Sequence, residues 1–414
     1  MDENKDFSKK EIENLINSAW DNSFPDEILL LRSKFEEKLN ELGITSFQVE
    51  KNFGIEYKTL NRLLDGDIKK TDLISLIKLG AFVGIPQKRI SDIFTTHLIK
   101  ENEIDIIQSK KTAFILENFD LLTLKKIGVI NSTTNFQNIE KKLNEIFGLK
   151  SILDYNTNET GAAHSSTTLK PKNDKNRRYF KDKSREILKA INNPNRYDKQ
   201  GLIDYFPKIR WHSTDFENGL INVIKSLFSL GVTVIFQPKI PSLQMRGATF
   251  EVNGKPCIVL TDYRNSYPTM WFAFLHELFH VLFDWEEILQ KRYHLSDEEN
   301  DVYVLKHKEE EANDFARDYL FPKQKIEMIS DKIRHSFFVK EFAFDHHVHP
   351  SIIYANYAHE YSTDSNNIWA QFDKLIRPPM DNLIRKLNGG LSHDATAKEF
   401  ANYYITKIYT NEEQ

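Results

Sequence analysis

A single cysteine, Cys257, in 414 residues excludes an internal disulfide. It lies in Lys255-Pro256-Cys257-Ile258-Val259, which reads as a strand, so a core thiol is expected rather than a redox switch. No apolar run reaches the roughly 20 residues that span a bilayer, and Met1 to Lys5 lacks the apolar core of a signal peptide. The expectation is a cytoplasmic protein with no membrane partner. Neither charge sign dominates: 56 Lys and Arg stand against 60 Asp and Glu, a formal net charge of −4, so there is no chain-wide nucleic-acid signature. No internal repeat is evident. With 40% hydrophobic residues, a chain of this length can bury cores in two or three domains.

Against these absences stands His276-Glu277-Leu278-Phe279-His280, an HExxH pattern inside the apolar stretch from Met270 to Phe283. On a helix, residues i and i+4 share a face, so both imidazoles can reach one zinc ion while Glu277 approaches a water as general base. Chance alone would place HExxH in a chain of this composition on the order of a few per cent of the time. Context raises its weight, because Trp271, Phe272, Phe274, Leu275, Leu278, Phe279, Val281 and Leu282 make the helix apolar nearly all round. A buried carboxylate and two buried histidines need partners there. The next strong helix, Glu309 to Leu320, has an inward stripe of Ala312, Phe315, Ala316, Tyr319 and Leu320. Glu309 and Asn313, four apart, flank that stripe, so one can ligate the metal while the other orients a ligand. Glu310 and Glu311 fall toward solvent. As an added donor to a tetrahedral oxyanion, Tyr293, His294, Tyr303 and His307 all remain open.

HELFH followed by EEEANDFARDYLFP resembles the ImmA/IrrE family of zinc metallopeptidases. The resemblance implies His276, His280 and Glu309 as Zn2+ ligands, Glu277 as the catalytic base of a gluzincin-like hydrolase, and Asn313 as support for a ligand. Phe279 departs from the Gly common in the family, and Phe283-Asp284-Trp285 lacks the further His that relatives often carry. Upstream, Leu230 to Phe236 reads as a strand, and Asn253-Gly254 as the turn of a hairpin between 247–252 and 255–261. Pro256 cannot donate to a ladder, which suggests a sheet edge. By resemblance, 247–262 is the edge that holds an extended substrate.

Ser46 to Gly66 looks like a helix-turn-helix: Gly54 supplies the turn, and Val49, Phe53, Ile55, Leu60 and Leu63 pack inward. Its second helix would present Tyr57, Lys58, Asn61 and Arg62 to DNA, while Glu56 would oppose phosphate. Flanking amphipathic helices at 29–42 and 72–85 complete an XRE-like, Cro-like domain by resemblance. Lys170 to Arg196 is rich in Lys and Arg and reads as a solvated helix face, with a surface for phosphate or an acidic partner as the alternative. Asp154 to Asn176 reads as a linker, and the tail aromatics Phe400, Tyr403, Tyr404 and Tyr409 as packing, with a homodimer contact left open.

The expected fold is α+β and predominantly helical: a helix-turn-helix domain plus a zincin-like domain with a small sheet and the HExxH helix. The expected divisions are a helical arm 1–30, the helix-turn-helix domain 31–108, a helical connector 109–205, the metallopeptidase domain 206–345 and a helical extension 346–414. This layout resembles HigA-like antitoxins and stress or phage-response regulators. It implies a DNA-coupled zinc endopeptidase that cleaves a repressor, antitoxin or other regulatory protein. The alternative is a DNA-binding regulator whose zinc-type domain senses or holds a partner and cuts nothing.

Overall fold

Gly54, in the left-handed region at φ 62°, ends one helix and lets the next begin three residues later. This turn lies in the first of two units in a computed structural model describing residues 25–67, 69, 72–155, 174–291, 293–296 and 303–410. The chain divides between Lys110 and Lys111. In the first unit, helices α1 (Pro25–Leu42), α2 (Ser46–Phe53), α3 (Tyr57–Leu64), α4 (Leu73–Phe82) and α5 (Gln87–Glu101) enclose one small core. Thr45 starts α2, its N–H donating to Gln48 Oε1 at 2.8 Å. Leu31, Phe35, Val49, Ile55, Leu60, Leu63 and Leu79 are buried. The expected arm 1–30 lies largely outside the described residues, and α1 runs through its boundary.

The second unit contains one continuous core, reaching from Ile115 to Ile408 through the segments expected as connector, metallopeptidase domain and extension. Its helices are α6 (Glu103–Asn118, which crosses the division), α7 (Leu121–Lys126), α8 (Phe136–Phe147), α9 (Asp174–Ile191), α10 (Lys199–Ile209) and α11 (Gly219–Ser229). Strands β1 (Thr233–Gln237), β2 (Gly247–Val252) and β3 (Lys255–Thr261) lead into α12 (Tyr267–Phe283) and α13 (Trp285–Lys291). Then come β4 (Tyr293–Ser296), α14 (Tyr303–Leu320), α15 (Lys323–Ile329), α16 (Ser336–Asp345), α17 (Pro350–Tyr361), α18 (Asp381–Asn388) and α19 (Ala397–Tyr403). The architecture is mostly helical with one small sheet, the α+β class expected. No described helix is long and apolar enough to cross a membrane.

The sheet has the order β1-β3-β2-β4, with β1 parallel to β3 and the other neighbours antiparallel. Asn253 and Gly254 take positive φ of 54° and 74°, the geometry a two-residue hairpin requires. The edge expectation is corrected. β2 and β3 are the central strands, and β4 covers β2, pairing Thr249 with His294 and Phe250 with Tyr293. Pro256 is tolerated for a local reason: β1 begins its pairing at Cys257, so no strand opposite β2 asks Pro256 for an N–H. Burial pushes the Cys257 thiol up to about 12, as suits a core residue.

The opposite edge, β1, is closed by side chains. The tail runs from α19 into a π-helical turn at Tyr404–Ile408, which brings residues five apart onto one face. Tyr404 Oη accepts from Phe236 N at 2.6 Å, and Tyr409 Oη donates to Val234 O at 2.8 Å. The tail aromatics are therefore internal packing, engaged within the chain.

The reading of 170–196 as a solvated face is overturned. Helix α9 is central, packing against β1, β2 and α19, and it buries Lys181, Lys183 and Arg185. Lys183 Nζ donates to His393 O at 2.6 Å and lies 5.1 Å over the Phe400 ring. Burial draws its ammonium down to about 7. The expected linker over 154–176 is shorter than its limits, since α9 already begins at Asp174; residues 156–173 lie outside those described.

Candidate metal centre

Ser266, in extended backbone, and Pro268 in the first turn start α12, and its apolar sequence then allows burial on nearly every side. The helix crosses β2 and β3 on one side and packs along α14 on another. His276, Glu277 and His280 are buried as a consequence, and Glu309 of α14 approaches them half-buried.

The separations are those a metal requires. His276 Nε2 and His280 Nε2 lie 3.3 Å apart, Glu309 Oε2 lies 3.2 Å from His276 Nε2, and Glu309 Oε1 lies 3.4 Å from His280 Nε2. A tetrahedral zinc with bonds of about 2.0–2.1 Å holds its donor atoms about 3.3–3.4 Å apart. Two imidazoles and a carboxylate so spaced can supply three corners of such a tetrahedron. They are the one potential metal-holding group of three His, Cys, Asp or Glu found among the described residues.

The histidines are aimed from behind. Asn313 Oδ1 lies 3.1 Å from His276 Nδ1, and Asp284 Oδ2 lies 2.8 Å from His280 Nδ1. If each Nδ1 carries its proton toward these acceptors, each Nε2 lone pair faces the centre. Asn313 thus stands against His276, one of the ligands it was expected to support. Asp284 was mentioned only as the place of a missing histidine, yet it sits four residues after His280, the same helical spacing that makes HExxH work. Its own charge is balanced by Lys308, whose Nζ lies 3.0 Å from Asp284 Oδ1 and also pairs with Glu287. Burial alone would raise the Asp284 carboxyl, but hydrogen bonds from His280 and Lys308 hold it below the ordinary range. Burial likewise opposes charge on His280, and Asp284 and Glu309 outweigh it, lifting the imidazole to about 9 in the metal-free chain.

Glu277 is fully buried. Thr249 Oγ1 donates to its Oε2 at 2.7 Å, whereas its Oε1 has no hydrogen-bond partner among the described residues. Desolvating a carboxylate oxygen without a partner is costly, so a polar group belongs at that atom. Gly247 makes the room: a Cβ there would stand 2.7 Å from Glu277 Cγ and 2.8 Å from Oε1. Sequence reasoning placed Gly247 and Thr249 in the segment expected to hold substrate but gave neither a role toward Glu277.

Phe279 lies half-buried on the face away from the sheet, against Phe283 and Phe315, with its ring edge-on to His280 at 5.6 Å. It packs in the α12–α14 seam. Of the four candidate oxyanion donors, His307 is exposed and faces Glu311 at 3.5 Å, while the side chains of Tyr293, His294 and Tyr303 lie outside the described residues. Glu310 and Glu311 face solvent as expected.

In the first unit, Tyr57 and Lys58 are exposed on α3, and Asn61 is half-buried. Arg62 is corrected as a DNA contact. Its guanidinium pairs with the buried Asp72 at 2.5 Å and donates to Asp67 O, tying α3 to the segment before α4. Glu56 stands at the N-cap of α3.

No protein-family model, no curated protein and no solved structure matches this chain.

Proposed function

We propose that the chain is a zinc-dependent endopeptidase with a zincin-like catalytic unit, its ligands His276, His280 and Glu309 and its base Glu277. The observation that carries this reading is the pairing of three donors at metal-holding distances with a buried carboxylate whose second oxygen has no hydrogen-bond partner among the described residues. A purely structural metal site has no physical need for that carboxylate, and a closed structural site takes a fourth protein ligand. Zinc held there supplies Lewis acidity toward a water and a peptide carbonyl. Glu277 Oε1 accepts the proton of the attacking water and returns it to the leaving amine. Thr249 holds Oε2, so Oε1 is the oxygen presented. Asn313 and Asp284 fix the imidazole planes, and the apolar walls of α12 and α14 limit water around the reacting atoms.

The first unit supports a coupled role. Its helix pair about Gly54 and the exposed Tyr57 and Lys58 favour an XRE-like DNA-reading domain, with Arg62 serving its internal packing. The whole would act in the cytoplasm on a regulatory protein such as a repressor or antitoxin, in the manner of the ImmA/IrrE pattern its motifs resemble. The experiment is co-production with candidate partner proteins: wild type cleaves one and Glu277→Gln leaves it intact. Bound zinc with unchanged partner levels in both would favour the sensor reading.

A further inference from the structure

Near the donor triad lies an open cavity of about 270 Å³, bordered by α12, α14 and α17 together with Arg246, Arg264 and Trp369. It adjoins the donor triad through two of its lining residues: Asn313, whose Oδ1 meets His276 Nδ1, and Phe272, one helical turn before His276. Its volume suits one side chain rather than a cofactor, since small-molecule sites run from about 300 to 1,000 Å³. Part of the wall is apolar, with Leu320, Ile352 and Pro268 buried, and Thr269, Asn313 and Asn356 add neutral polar groups.

The charged lining is of one sign. Arg246, Arg264 and Arg317 contribute guanidinium groups, His359 adds an imidazole, and no carboxylate is among the described lining residues. Arg246 directly precedes Gly247, the residue that makes room for Glu277, and its guanidinium stands 5.6 Å over the Phe272 ring. Arg317 pairs outward with the exposed Asp314, and its Nη1 lies 3.5 Å from His359 Nε2. Arginine is the side chain best suited to bind a carboxylate through two parallel hydrogen bonds.

We propose that this cavity is a specificity pocket for a carboxylate of the peptide substrate, borne by a residue adjoining the scissile bond. The methylenes of a glutamate would lie along the apolar part of the wall and its carboxylate would meet Arg246 and Arg317. A C-terminal carboxylate offers the same chemistry. This inference rests on the peptidase reading, but its test does not depend on turnover.

The test is equilibrium binding of short blocked peptides to full-length Glu277→Gln protein, with and without added zinc. One series varies a single internal position as Glu, Gln or Lys with an amidated C-terminus; another carries a free or an amidated C-terminus with no acidic residue. A preference of about tenfold or more for Glu over Gln is expected, and its loss in Arg246→Gln and Arg317→Gln. If the free-carboxylate series carries the preference instead, the pocket reads a chain end. Equal binding of the Glu, Gln and amidated peptides overturns the proposal, as does a preference for Lys. Because Glu and Gln peptides are compared on one unaltered pocket, a misfolded arginine variant cannot decide the outcome. Failure of the peptidase reading shows separately, as wild type that cleaves none of the peptides it binds.

Discussion

Glu277 is held by two residues that no local pattern connects to it. Thr249 donates to one carboxylate oxygen, and Gly247 leaves the volume the carboxylate occupies. Thr249→Val, nearly the same size, removes the hydrogen bond and frees the carboxylate to rotate. Peptide cleavage should fall by about tenfold or more while bound zinc is unchanged, as rates and elemental analysis on the same preparation would reveal. Gly247→Ala places a methyl against Glu277 Cγ and should cost more activity than Thr249→Val; equal activity to wild type would mean that Glu277 is not held there. His276, Glu277, His280, Glu309 and Asn313 were legible because helical spacing is local and places each on a known face. Asp284 carries the same spacing signal, which the reading of Phe283-Asp284-Trp285 as lacking a histidine passed over. Thr249 and Gly247 were not legible, since strand-on-helix packing across about 28 residues of sequence brings them to Glu277.

At the scale of elements, the sequence revealed α12, α14, the β2–β3 hairpin and the α2–α3 turn, each marked by periodicity or by a residue with a special backbone requirement. It misplaced α9. Seven basic residues suggest solvent, yet the tail returns more than 200 positions later to cover the helix, supplying His393 O and the Phe400 ring to Lys183. The same long-range return closes the β1 edge with Tyr404 and Tyr409, and β4 closes the other side of the hairpin. A buried lysine drawn down to about 7 has a measurable signature. Between about pH 7 and its ordinary value near 10.5 the unfolded chain binds the proton and the folded chain does not, so folding stability gains from this group as pH rises through that window. Lys183→Met, which buries no charge, should melt at or above the wild-type temperature near pH 7 and should lose that part of the pH slope. A melting curve that keeps the wild-type slope would place the proton elsewhere.

At the scale of the whole molecule, a helical unit with an exposed pair at Tyr57 and Lys58 is joined in one chain to a unit built around a buried donor triad. Full-length protein should shift DNA in a salt-dependent manner, and Lys58→Ala should weaken the shift and reduce its salt slope by about 1. By contrast, Arg62→Ala should lower the stability of the first unit, because it leaves the buried Asp72 carboxylate with the Lys69 N–H but without its cationic partner. The shift and a thermal melt on the same variants separate the two roles.

Everything proposed for the catalytic unit depends on one metal at one place. The most direct test is elemental analysis of zinc per chain in purified full-length protein, wild type against His280→Ala, Glu309→Ala and Glu277→Gln. The account predicts one zinc per chain in wild type and in Glu277→Gln, with stoichiometric zinc lost in the two ligand variants. Zinc absent from wild type after equilibration with the metal, or retained in full by His280→Ala and Glu309→Ala, would contradict it.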